Sequence, residues 1–352
     1  MVSKGKFRLV VAALIAVVAV SVSFDAAAQL RVVTTTTDLR CIAESVGGDL
    51  ITATSIGTGR EDVHMLAAKP SFMVQANRAD LWIRMGLELE IGFEPLVLEG
   101  ARNPEIHVGR RGHLDASHGV VLRDVPTVPV DRSMGDVHPM GNPHYHLDPY
   151  NGRIMARNIR DRLIDLDPAN ADAYRRNYDA FCAQIDRAMF GDAVVAALSA
   201  DRLWEASSAD TLDGLLDREG LEPDGWYAML LPHRGVKMVT YHRSWGYFAG
   251  RFGLEILDEL EPKPGIPPTS RHLARLAARM EALEVPLILM EPFYSRRAPD
   301  LLAERTGAVV LEVGNMVESE PAAKDYISMM DNIVRRVAAA LDTAVHSDHD
   351  NN

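Results

Sequence analysis

From Leu30 onward the chain alternates short apolar, β-branched runs with helix-length amphipathic stretches, and it does so twice, on either side of a long helical middle. Parallel strands need a crossover, and the usual crossover is a helix, so this alternation calls for parallel sheets clad in helices. In the first half the spacing predicts strands over Leu30–Thr36, Ile51–Ile56 and Leu81–Arg84. A helix follows Asp38 and is stopped by Gly47-Gly48-Asp49, and another spans Pro70–Ala79. In the second half strands are expected at Val236–Tyr241, Leu254–Leu257, Val285–Met290 and Val309–Val313. Helices are expected at Trp245–Phe252, Ser270–Ala282, Ala298–Thr306 and Asp325–Leu341. Between the halves a helical pattern covers Asn151–Leu166, and Asp167-Pro168-Ala169-Asn170 starts another, with Tyr174, Tyr178, Phe181 and Ile185 at helical spacing. The fold class is therefore α/β, two lobes with parallel sheets joined by a long rigid helix.

Residues 1–28 read as a secretory signal peptide: Lys4, Lys6 and Arg8 precede an apolar run from Leu9 to Phe24, and Ala26-Ala27-Ala28 offers a cleavage site. The run is short for a membrane span, and no Cys stands at the cleavage point to take a lipid. Residues 29–168 are expected to form the N-terminal lobe, 169–195 a linker helix, 196–345 the C-terminal lobe and 346–352 a polar, disordered tail. Ala101–Pro143 reads as loop, with His107, His113, His118 and His138 solvated, and Leu198–Leu230 as an insertion of mixed signals. Removing 1–28, which holds three of the bases and one of the acids, takes the net charge from −12 to −14. An acidic surface repels nucleic acid and anionic membranes, and neither is an expected partner. Cys41 and Cys182 lie in helical stretches; a disulfide or two buried thiols both remain open, and neither is assigned to a metal.

Three histidines stand in stiff local contexts. His144 lies in the Pro-bracketed Gly141-Asn142-Pro143-His144-Tyr145-His146-Leu147-Asp148-Pro149, His64 ends Glu61-Asp62-Val63-His64, and His242 follows Val239-Thr240-Tyr241. Neutral imidazole suits zinc best among the abundant ions. Ligands this far apart in sequence require a site assembled by the fold.

These motifs, in this order, resemble those of the solute-binding proteins of zinc and manganese ABC importers. The family's first ligand segment, Asp-Pro-His followed by Pro-Ser, is similar to Asp62-Val63-His64 before Lys69-Pro70-Ser71. Its Asn-Pro-His-x-Trp-Leu-Asp-Pro segment resembles Asn142 through Pro149, and its Thr-Tyr-His segment resembles Thr240-Tyr241-His242. Glu291-Pro292-Phe293 after a strand and Asp325-Tyr326 through Asn332 match as well. The resemblance implies a metal between the lobes held by His64, His144 and His242, with Glu291 or water as the fourth ligand. His146 replaces the family's Trp and is a further candidate. The family's Asp after the penultimate strand has no counterpart in Glu312–Glu320.

Manganese members often carry Glu at the third position; with His242 there, the resemblance implies zinc as cargo and manganese as the alternative. A periplasmic monomer that captures a divalent metal ion and delivers it to an ABC transporter membrane permease is thus expected. A long connector favours small tilts over wide closure. A secreted zinc hydrolase would also use three His and an open position, but no His-Glu-x-x-His helix is present, so capture is preferred over catalysis.

Overall fold

Two four-stranded sheets, both wholly parallel, carry the two halves of the chain. The computed structural model describes residues 29–128, 138–261, 263 and 265–349, with side chains through 344; the expected signal peptide and residues 350–352 lie outside these. The first lobe runs β1 Leu30–Thr34, α1 Thr37–Gly47, β2 Ile51–Ser55, α2 Pro70–Arg78, β3 Leu81–Arg84, α3 Glu94–Ala101 and β4 His113–Asp115. Its strand order is β2-β1-β3-β4. The connector is α4 Pro149–Leu166 and α5 Ala171–Phe190, about 27 and 30 Å long at 1.5 Å per residue. Four short helices follow: α6 Asp192–Ala197, α7 Ala200–Ser208, α8 Leu212–Glu219 and α9 Gly225–Leu230. The second lobe is β5 Lys237–Thr240, α10 Gly246–Phe252, β6 Glu255–Glu259, α11 Ser270–Ala282, β7 Leu287–Met290, α12 Arg297–Thr306, β8 Val309–Glu312 and α13 Tyr326–His349. Its order, β6-β5-β7-β8, repeats that of the first.

In each sheet the chain steps from the first strand to one side and then crosses back to the other. Such a switch opens a crevice at the carboxyl ends of the strands, where open α/β sheets place their ligands. Val32, Leu81, Trp82, Ile83, Leu287 and Leu289 are fully buried, and with faces of both connector helices they share one core. A register shift at Met238/Val239 advances β6 against β5. Leu260 N then donates to the Thr240 carbonyl and Glu261 N to that of Tyr241, which brings Glu261 beside the residue after Tyr241.

Two expectations are corrected. The 101–143 stretch contains β4, a three-residue His-Leu-Asp strand too short for alternation to show. His113 is buried there, with Nε2 3.2 Å from Glu94 Oε1, and is not a solvated loop residue. Helix α13 continues past Leu341 to His349, through the start of the supposed disordered tail. Residues 198–230, read as an insertion of mixed signals, hold α7–α9, each only six to nine residues long, so its apolar face shows too few positions for a period. Cys41 and Cys182 are buried free thiols.

Candidate metal centre

The histidines sit on connecting loops. His242 lies two residues beyond β5. His64 occupies a single 3-10 turn, Val63–Met65, in the connection after β2, and His144 immediately precedes another, Tyr145–Leu147. The first two ligand loops use the same device, an Asx turn. Asp62 Oδ1 accepts from His64 N at 3.0 Å, and Asn142 Oδ1 accepts from His144 N at 2.9 Å. The same oxygens then accept from the rings: Asp62 Oδ1 is 2.7 Å from His64 Nδ1, and Asn142 Oδ1 is 2.9 Å from His144 Nδ1. His242 finds its acceptor across the sheet, with Nδ1 2.9 Å from Glu261 Oε2. An oxygen that can only accept puts the proton on Nδ1 and leaves Nε2 as a lone pair, the usual way a protein orients imidazole toward a metal.

The three rings converge. Their centroids are 5.2 Å apart for His64–His144, 5.2 Å for His64–His242 and 5.4 Å for His144–His242. One ligand nitrogen from each lies within 4.8 Å of the other two. Ligand atoms 2.0–2.1 Å from a tetrahedral ion stand roughly 3.3 Å apart, so side-chain shifts on the order of 1 Å close the set. Burial, then the neighbouring His64 and His242, hold the His144 ring well below the usual imidazole value and therefore neutral. Burial would raise the Asp62 carboxyl, but its hydrogen bonds from His64 and the nearby His64 and His242 rings outweigh this and hold it below the ordinary range.

The other candidates separate. Glu291 lies directly after β7 and is fully buried, but it falls outside the mutually close group. Its Oε1 accepts from Asn315 Nδ2 at 3.2 Å. Burial pushes its carboxyl up to about 8, against a weaker opposing bond from Ser244. His146 turns away, its Nε2 donating to the Asn315 carbonyl at 2.8 Å. His107 and His118 are exposed, as expected. His138, expected in solvent, instead lies half-buried with Nε2 2.9 Å from His64 Nε2. Burial, then His64 and His242, push its ring down to about 3. Sequence reasoning also missed Glu261, which is 19 residues from its partner. A turn signal for His138 was present in His138-Pro139-Met140-Gly141, with Pro and Gly at favoured β-turn positions.

Glu291→Gln tests the carboxylate. A carboxyl raised from 4.5 to about 8 gives stability that is whole below pH 4.5 and is lost as pH rises through 8. The variant should flatten the decline of metal-free stability between those values, read from melting temperature against pH. Glu90, raised by burial to about 7, will leave a residual slope. Zinc affinity should stay within about threefold of the parent; a larger loss would restore Glu291 as a ligand.

The two lobes meet around this centre. Asn142 Nδ2 donates to the Arg243 carbonyl at 2.8 Å, and Tyr294 Oη donates to Asp62 Oδ2 at 3.3 Å. Val317 N donates to Asp38 Oδ1 at 3.1 Å. Arg251 of α10 forms a bidentate pair with Asp148, the N-cap of α4, at 2.8 and 2.9 Å. That pair joins the end of the His144 loop to the helix that follows His242.

A match to the family model "Zinc-uptake complex component A periplasmic" covers residues 32–189 and 225–340 and omits the helical segment between them. Similar proteins include the iron-binding protein YfeA of Yersinia pestis, 26% identical over 321 residues, 89% of this chain and 87% of that one. Another is the manganese ABC transporter substrate-binding lipoprotein PsaA of Streptococcus pneumoniae, 23% identical over 316 residues, 89% of each. A crystal structure of ZnuA superposes with a TM-score of 0.64 at 20% identity, covering 89% of this chain and 99% of that one. The laminin-binding protein Lmb of Streptococcus agalactiae gives the same figures. At such identities the two structures speak for the fold alone.

Proposed function

We propose, because this chain belongs to the family of the periplasmic zinc-uptake complex component A, that it captures zinc between its lobes outside the inner membrane and hands it to an ABC permease. The family is that of solute-binding components of metal ABC importers, which bind their cargo and do not transform it, so the hydrolase reading is set aside. The observation that carries the zinc reading is the set of three rings, each with Nδ1 bonded to a side-chain oxygen and each with one ligand nitrogen within 4.8 Å of the other two. A nitrogen-rich set favours zinc over manganese, which prefers oxygen. His64 and His144 come from the first lobe and His242 from the second, so one ion would tie the lobes together in the form a permease reads. Among the described residues no helix is long and apolar enough to cross a membrane. The names of YfeA and PsaA favour iron or manganese as the second reading.

Competition titration with a chromophoric chelator decides between these. Zinc should bind at least a thousandfold more tightly than manganese; equal or reversed affinities would reject zinc as the cargo. Metal analysis of protein recovered from its own compartment, and zinc-limited growth of a deletion strain, test the same reading in the cell.

A further inference from the structure

Resting on that reading, we infer that Asp124 is a positioning residue of the metal centre, holding the Asn142 amide so that its oxygen backs the His144 ring. The three rings are not backed alike. His64 Nδ1 meets the Asp62 carboxylate at 2.7 Å, and His242 Nδ1 meets that of Glu261 at 2.9 Å. His144 Nδ1 meets only a neutral amide oxygen, Asn142 Oδ1, at 2.9 Å. Its carboxylate stands one residue further out. Asn142 Nδ2 donates to Asp124 Oδ2 at 2.9 Å and to the Arg243 carbonyl at 2.8 Å. Neither acceptor can donate, so the amide presents its oxygen to His144; turned over, it would oppose like groups on both sides. A hydrogen bond to a charged acceptor is stronger than a neutral one and polarises the next bond in a chain. Asp124 therefore makes Asn142 Oδ1 a better acceptor for the Nδ1 proton, and His144 a more basic ligand.

The backbone holds Asp124 in place against its own preference. It takes φ +54, left-handed backbone that persists in a non-glycine residue only where its surroundings fix it. Arg123 supplies the fixing. Its N donates to Tyr247 Oη at 3.0 Å, its carbonyl accepts from Asn142 N at 2.9 Å, and its guanidinium lies 5.8 Å from the centre of the Tyr247 ring. Tyr247 belongs to α10, the helix that follows His242, and α10 also leaves room for the contact. A Cβ on Gly246 would stand 3.2 Å from Asp124 Oδ2 and 3.6 Å from Asn142 Nδ2. The Arg123-Asp124 turn thus ties the His144 loop to the segment that carries His242. Asp124 is exposed, so water and salt screen its charge and keep its effect moderate.

The full chain is tested as the parent, Asp124→Gly, Asp124→Asn, Asn142→Ala and the double variant Asp124→Gly with Asn142→Ala. Exposed Glu222→Gln controls for the loss of one charge. Gly and Asn both accept left-handed backbone, so metal-free melting temperatures should stay near the parent's. With Zn2+ alone as probe, Asp124→Gly should lose about tenfold in affinity by chelator competition, the low end for a partner that orients a ligand. Asp124→Asn keeps an acceptor without the charge and should lose about threefold. Glu222→Gln should bind as the parent does. With Asn142→Ala already made, Asp124→Gly should add no further loss, because the relay is gone. In zinc-loaded protein with isotope-labelled histidine, the His144 Nδ1–H resonance should move upfield in both Asp124 variants, which a purely structural role would not cause. Parental affinity in Asp124→Gly, an undiminished loss in the double variant, or metal-free melting lowered in both Asp124 variants would overturn the inference while leaving zinc capture intact. A parent that fails to bind zinc would instead remove the reading beneath it.

Discussion

His144→Ala should cost the protein roughly 100-fold or more in zinc affinity, about 2.8 kcal/mol, measured by chelator competition. The figure exceeds the 10–100-fold typical of partners that only orient a ligand, because the variant removes a donor atom. The loss should be specific. His144 is buried, and truncation leaves Asn142 Oδ1 without the ring while its bond to the His144 backbone survives, so the Asx turn persists. Metal-free melting should therefore move little, whereas the stabilisation by zinc should collapse. In the parent that stabilisation is about 4 kcal/mol at a thousandfold excess over Kd. A variant with parental affinity would remove His144 from the site.

The second large effect is expected away from the rings. Arg251→Met breaks the bidentate pair with Asp148, whose side chains are only 7% and 9% exposed. Removing one partner leaves an uncompensated carboxylate in a poorly hydrated place, at a cost of about 3 kcal/mol. The expected fall in melting temperature is several degrees. Methionine keeps the apolar packing against Tyr150 and Trp204, over whose rings the guanidinium lies. The double variant Asp148→Asn with Arg251→Met should recover much of the loss, since it has no charge left to strand. Because Asp148 ends the His144 loop and Arg251 closes the helix after His242, zinc affinity should also drop about tenfold in the single variant. A single variant as stable as the parent would mean that the pair contributes nothing net.

The candidate site was partly legible. His64 and His144 each follow an Asx residue two positions earlier, and that spacing shapes the loop within three residues. His242 stands just past a strand whose apolar run is plain. His138 was read as solvated because its value depends on a ring 74 residues away, although its Pro-Gly turn was visible. Glu261 had no signal: it meets His242 only because a register shift slides β6 along β5. Strand β4 escaped notice for the opposite reason, since three residues hold too little period to show and its pairing to β3 supplies the order.

By itself the sequence settled the layered α/β architecture, the paired parallel sheets and the three histidines offered on loops. Period, caps and turns act over a few residues, and those are written locally. The tertiary structure alone decided which nitrogens face inward, which oxygens hold their far sides, and which of Glu291, His146 and His138 comes nearest. Those choices depend on strand register and on contacts between lobes, where a shift of one residue replaces one neighbour with another.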